Sequence, residues 1–145
     1  TVNPVFKVRS TNKDFKTDLK IKFSNNKGEK ETFLFEVARN YDGCIDKTVE
    51  KLKEYNEYVE YFSPTPKMLE PPRLVLVGED DKHLFEIFKQ VLSKKIQPTN
   101  RDFLYTSDLR VVGGELSRSL IKFTIVKENN KLKPKIQELN FDLLK

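Results

Sequence analysis

Residues 31–62 read ETFLFEVARNYDGCIDKTVEKLKEYNEYVEYF. From Thr32 to Ala38 the β-formers Thr32, Phe33, Phe35 and Val37 surround one carboxylate, Glu36, inside a run otherwise suited to burial. After the turn Asn40-Tyr41-Asp42-Gly43, the positions Ile45, Val49, Leu52, Tyr55 and Val59 recur at three- and four-residue steps. That spacing predicts a helix from about Asp46 to Tyr61 with one apolar stripe. Its other face carries Lys47, Glu50, Lys51, Lys53, Glu54 and Glu57. If the helix packs beside the end of the strand, its first charges and Glu36 share a groove.

Upstream, Leu19, Ile21 and Phe23 alternate with Asp18, Lys20 and Lys22, the period-two pattern of a half-buried strand. With the polar loop from Ser24 to Gly28, this strand and the one from Thr32 to Ala38 read as an antiparallel hairpin. Residues Thr1 to Asp14 lack sustained periodicity and allow one edge strand. Downstream, a proline-stiffened connection from Ser63 to Pro72 leads to the apolar run Arg73 to Val77, a buried strand. Gly78-Glu79-Asp80-Asp81 then feeds a helix from about Lys82 to Lys95. Its core face is Leu84, Phe85, Phe88, Val91 and Leu92, with His83 as a surface residue near its first turn. Further strands are expected over Asp102 to Thr106, Leu120 to Val126 and Lys133 to Leu139, the last two joined by a turn at Glu128-Asn129-Asn130-Lys131. Val111-Val112-Gly113-Gly114 reads as the end of another short extended piece. This order implies an α/β (α+β) fold: a mixed central sheet with parallel neighbours, flanked by helices.

A chain of 145 residues fits one domain, 1–145. It contains no apolar run of the ~20 residues that would span a bilayer and no leader pattern, so no membrane partner is expected. Beginning at Thr1, it reads as a domain excised from a longer protein. A single cysteine, Cys44, excludes an internal disulfide and multi-cysteine zinc sites and points to a reducing, cytoplasmic setting. One histidine, His83, leaves little for chemistries that rely on histidine clusters. Twenty-seven basic against 22 acidic residues give a net charge of +5, which admits an anionic partner such as nucleic acid. The residues expected to form a basic face are Lys16, Lys20, Lys22, Lys47, Lys51, Lys94, Lys95, Arg101 and Arg110.

Asp18 lies near the start of one hairpin strand and Glu36 near the end of the next. Those ends adjoin in an antiparallel pair, so both carboxylates can converge on one Mg²⁺ whose other ligands are phosphate oxygens and water. A nearby ammonium would stabilise the charge that builds on an attacked phosphate. Thr17-Asp18 followed by Phe35-Glu36-Val37-Ala38 resembles the PD-(D/E)XK nuclease-like arrangement, with Thr17 where that motif has Pro and Ala38 where it has Lys. The sequence is also similar to the C-terminal region of plasmid replication-relaxation proteins. That likeness rests on Phe33-Leu34-Phe35-Glu36-Val37-Ala38-Arg39, on Lys51-Leu52-Lys53-Glu54-Tyr55 and on Arg73-Leu74-Val75-Leu76-Val77, and it covers about Thr17 to Val91.

The resemblance implies a restriction-endonuclease-like core in a DNA-associated plasmid replication or mobilisation factor. Catalytic equipment is incomplete where Ala38 replaces lysine, and any activity would be Mg²⁺-dependent DNA cleavage. Asp18 and Glu36 are the metal candidates. Lys51 completes the catalytic set from the helix, against the simpler reading that it pairs with Glu50 or Glu54 on its own surface. Arg39, Lys20, Lys47 and Tyr55 are the nucleic-acid-binding candidates. The alternative is a non-catalytic protein-interaction or homo-oligomerisation domain using the tyrosine-rich helix, with Tyr55, Tyr58, Tyr61 and nearby Tyr41.

Overall fold

Where the sequence allowed one N-terminal edge strand there are two, β1 (Val5–Val8) and β2 (Lys13–Lys16), paired antiparallel as a separate two-stranded sheet. The structure is a computed structural model and describes residues 5–8, 13–24, 27–28, 30–39, 44–66, 69–94, 103–114 and 116–139. The expected hairpin is present as β3 (Leu19–Ser24) antiparallel to β4 (Lys30–Val37). Helix α1 (Cys44–Glu60) follows and returns the chain to β5 (Arg73–Gly78), parallel to β4. Helix α2 (Asp81–Ser93) does the same for β6 (Leu104–Ser107), parallel to β5. Two short helices, α3 (Asp108–Gly113) and α4 (Leu116–Ser119), precede β7 (Ile121–Glu128) and β8 (Lys131–Glu138). The main sheet is thus mixed and six-stranded, in the sequential order β3-β4-β5-β6-β7-β8.

The two faces of this sheet follow from strand alternation. Leu34, Leu74, Leu76 and Tyr105 point to the side that α1 and α2 cover. There they meet Val49, Leu52, Tyr55 and Val59 of α1 and Leu84, Ile87, Phe88 and Val91 of α2. Phe33, Phe35, Val75 and Leu104 point to the opposite side, with Leu120. Glu36 therefore lies on the helix-covered face, in line with Leu34 and Ala38.

Several local expectations change. His83 is buried rather than exposed: its Nδ1 accepts the Glu79 N–H at 3.2 Å, and its own N–H donates to the Asp80 side chain that caps α2. The turn at Gly78 makes room for this, since a Cβ there would stand 2.7 Å from Leu84 Cδ2. Leu92 falls on the outer side of α2 and is exposed. Val111 to Gly113 are helical, because Ser107 Oγ accepts the Arg110 N–H and caps α3. Arg110 grips Asp81 with two hydrogen bonds of 2.8 and 2.9 Å and reaches Glu138 at 3.5 Å, fastening α3 to α2 and β8. It does not belong to a basic face.

Tyr55 is a core residue: it is fully buried, and its hydroxyl donates to the Pro72 carbonyl at 2.8 Å. No ring face is open for a base to stack on, and Tyr58 is also buried. Tyr61 is exposed, and Tyr41 lies outside the described residues. Of the tyrosines on this helix, Tyr55 and Tyr58 are therefore core residues and Tyr61 is the exposed one. Tyr55→Phe should cost about 1–2 kcal/mol in urea unfolding, because it leaves the Pro72 carbonyl without its donor.

Candidate active site

The C-terminal ends of the parallel strands β4, β5 and β6 lie along one edge of the sheet, the edge where open α/β sheets place their ligand sites. The β3–β4 register ends where Leu19 pairs with Phe35, and just beyond it Asp18 and Glu36 line one cavity. Two backbone bonds carry the ladders past the formal strand ends: Asp18 N–H to Phe35 O at 3.1 Å and Ala38 N–H to Val77 O at 2.9 Å. Asp18 is held further by its Oδ2, which accepts the Val37 N–H at 2.8 Å. Both carboxylates thus rest on rigid backbone rather than on a loop.

The opposite wall comes from the first two turns of α1. Cys44, Lys47, Thr48 and Lys51 follow i, i+3, i+4, i+7 spacing and so share a face. They border a cavity of about 580 Å³ together with Asp18, Glu36, Val37 and Arg39. Lys51 Nζ lies 3.7 Å from Glu36 Oε1. Its expected partner Glu50 is held instead by Lys53 at 3.1 Å. Arg39 and Lys47 are exposed on the cavity rim.

Glu36 has an environment unusual for a carboxylate. Its side chain is 15% exposed, and Oε2 is buried without a hydrogen-bond partner. Burial pushes its pKa up to about 7 from an ordinary 4.5; the Lys51 charge opposes this and the Asp18 charge adds to it. An acceptor oxygen kept dry and unpaired beside a second carboxylate is suited to receive a cation or a proton.

Of the residues expected at this site, Asp18, Glu36, Arg39, Lys47 and Lys51 come together. Lys20 sits two residues from Asp18, half-buried, with its pKa lowered by burial and by neighbouring Lys22; it does not line the cavity. Among the other basic candidates, Lys94 pairs with Asp46, and Lys95, Arg101 and the Lys16 side chain lie outside the described residues. Sequence reasoning missed the wall formed by Cys44 and Thr48, although their spacing from Lys51 was visible. It also missed a smaller adjoining pocket of about 290 Å³, which shares Val37 and Arg39 and adds Glu79 and Asp108 from the ends of β5 and β6.

Ala38 follows Glu36 by two residues. It is 3% exposed, packs in the helix-covered core and borders the smaller pocket rather than the larger cavity. Across the cavity, Lys51 supplies an ammonium from the helix. Among the described residues no group of three or more His, Cys, Asp or Glu is placed to hold a metal. Two carboxylates with an unpaired buried oxygen fit Mg²⁺, which keeps water and phosphate among its ligands, better than a metal needing a full protein cage. No described helix is long and apolar enough to cross a membrane. No protein-family profile, curated protein or solved structure matches the chain.

Proposed function

We propose that this domain is a Mg²⁺-dependent phosphodiesterase acting on nucleic acid, with Asp18 and Glu36 as metal-holding carboxylates and Lys51 as the catalytic ammonium. One observation carries the reading: the buried, unpaired Oε2 of Glu36 in a cavity that also receives Asp18 and Lys51. The short-motif likeness to plasmid replication-relaxation proteins favours DNA as the substrate class, and the nearness of Lys51 to Glu36 supports an active site over the degenerate one that Ala38 suggests.

When bound, the metal would polarise the phosphate and lower the pKa of an attacking water. Asp18 Oδ2 stays committed to the Val37 N–H, which leaves Oδ1 to face the cavity chemistry and fixes the carboxylate plane. Lys51 places positive charge where negative charge develops on the non-bridging phosphate oxygens. Arg39 and Lys47, exposed on the rim, are positioned for the phosphates on either side of the scissile one.

Titration calorimetry with Mg²⁺ or Mn²⁺ should show binding to the wild type that is lost in Glu36→Gln. Incubation with supercoiled plasmid should give metal-dependent nicking that falls at least ~100-fold in Glu36→Gln and Asp18→Asn. A folded wild type with neither metal heat nor nicking would end the catalytic reading.

A further inference from the structure

The β7–β8 hairpin lies at the far side of the main sheet from β3 and is rich in lysine. Five lysines (Lys122, Lys127, Lys131, Lys133 and Lys135) stand against two glutamates, Glu128 and Glu138. Glu138 is already engaged by Arg110. The hairpin's net charge of +3 is therefore most of the +5 carried by the whole chain.

Its geometry is that of a projecting ribbon. β7 meets β6 only at Tyr105 and Ile121, while β7 and β8 pair along their full length from Ile121–Glu138 to Glu128–Lys131. The turn is tight, with Asn129 and Asn130 at φ 50° and 61°, the left-handed conformation a two-residue hairpin turn requires. Thr124 Oγ1 donates to the Lys135 carbonyl at 3.3 Å and ties the strands together. Toward the tip both faces are open to solvent, with Ile125 and Leu132 exposed.

Strand alternation sorts the charge. Lys131, Lys133 and Lys135 share one face, where their cross-strand partners are Glu128, Val126 and Thr124. All three lysines are exposed, and none has an ion pair among the described residues. Pro134 sits between them on the outer strand, and it removes one backbone donor from that edge. An edge lacking that donor and flanked by lysines is a poor template for strand addition by a protein partner. It leaves side-chain charge as the means of recognition. A two-stranded ribbon also matches the major groove of duplex DNA, about 12 Å wide.

We propose that the β7–β8 hairpin is a second nucleic-acid-binding element, an arm that lays Lys131, Lys133 and Lys135 along the phosphates of a duplex and holds it independently of the cavity. The arm shares with the proposed function the premise of a nucleic-acid substrate, but its binding needs no metal.

The test measures fluorescence-anisotropy binding of a 20-base-pair duplex to the full chain in EDTA across a salt series, for wild type and the triple variant Lys131→Gln, Lys133→Gln, Lys135→Gln. Loss of three phosphate contacts should reduce the slope of log K against log salt by about 2–3 and weaken binding at least ~10-fold at moderate salt. The triple Lys→Arg variant should restore both. Hydrolysis of a small chromogenic phosphodiester with Mg²⁺ should be equal in all three proteins, because that substrate does not reach the arm. Unchanged duplex affinity and slope in a folded glutamine variant would overturn the arm. Absent small-diester hydrolysis in wild type would overturn the cavity assignment and leave the binding result standing on its own.

Discussion

At pH 8 the Glu36→Gln variant should be more stable than the wild type by about 2–3 kcal/mol, and at pH 4 the two should agree within about 1 kcal/mol. The difference comes from the burial that raises the Glu36 pKa from 4.5 to about 7. A group whose folded pKa lies above its unfolded value favours folding while protonated. The neutral carboxyl's contribution is complete below about pH 4.5 and is lost as pH rises through about 7. Glutamine mimics the neutral form at every pH and so escapes the loss. The size follows from ~1.4 kcal/mol per tenfold change in proton affinity, reduced for the 15% of the side chain that water reaches. Adding Mg²⁺ at pH 8 should stabilise the wild type and leave the variant unmoved, since only the wild type gains a ligand for the folded state. Urea unfolding at the two pH values decides the matter. If Glu36→Gln were the less stable protein at pH 8, Glu36 would be a structural partner of Lys51 and the site reading would fail. A carboxylate that destabilises the fold at the pH where it is charged is what a binding site asks for and a structural ion pair does not.

Much of this arrangement was legible because apolar periodicity follows from burial. The alternation at Leu19, Ile21 and Phe23, the continuous run before Gly78 and the stripe through Val49, Leu52 and Val59 each marked an element now seen in place. The convergence of Asp18 and Glu36 followed from the hairpin alone, since antiparallel pairing brings the start of one strand to the end of the next. What the pattern could not show was which competing partner a charge would choose. Lys51 has Glu50 and Glu54 nearby in sequence, yet it meets Glu36 because the packing of α1 on the sheet sets its direction. Tyr55 carries a polar tip that reads equally as interface or core, and only the nearby Pro72 carbonyl settles it. His83 read as surface because its neighbours are acidic; its burial depends on Gly78, five residues earlier and on another element. Helix α3 was missed because Val111, Val112 and Gly113 disfavour helix, while the cap from Ser107 prevails locally.

Lys51→Met should lower the rate of phosphodiester hydrolysis by about 100- to 1000-fold while metal binding at high pH persists, since the variant removes transition-state charge stabilisation and keeps both carboxylates. A second readout reports the electrostatic coupling of Lys51 to Glu36. The Lys51 charge holds the Glu36 pKa below where burial alone would place it, so in Lys51→Met the acid limb of metal binding should shift to higher pH. A lysine in place of Ala38 should not substitute for Lys51. Ala38 is 3% exposed within the helix-covered core, and it borders the smaller pocket with Glu79 and Asp108 rather than the cavity that holds Glu36. Ala38→Lys should destabilise the domain by about 1–3 kcal/mol through overpacking, and the double variant Ala38→Lys, Lys51→Met should remain inactive even where it folds. Rescue of hydrolysis by that double variant would show that the strand position still reaches the cavity and that Lys51 is dispensable. The packed state of Ala38 argues the reverse: its side chain borders the smaller pocket, whereas Lys51 on α1 stands 3.7 Å from Glu36 across the cavity.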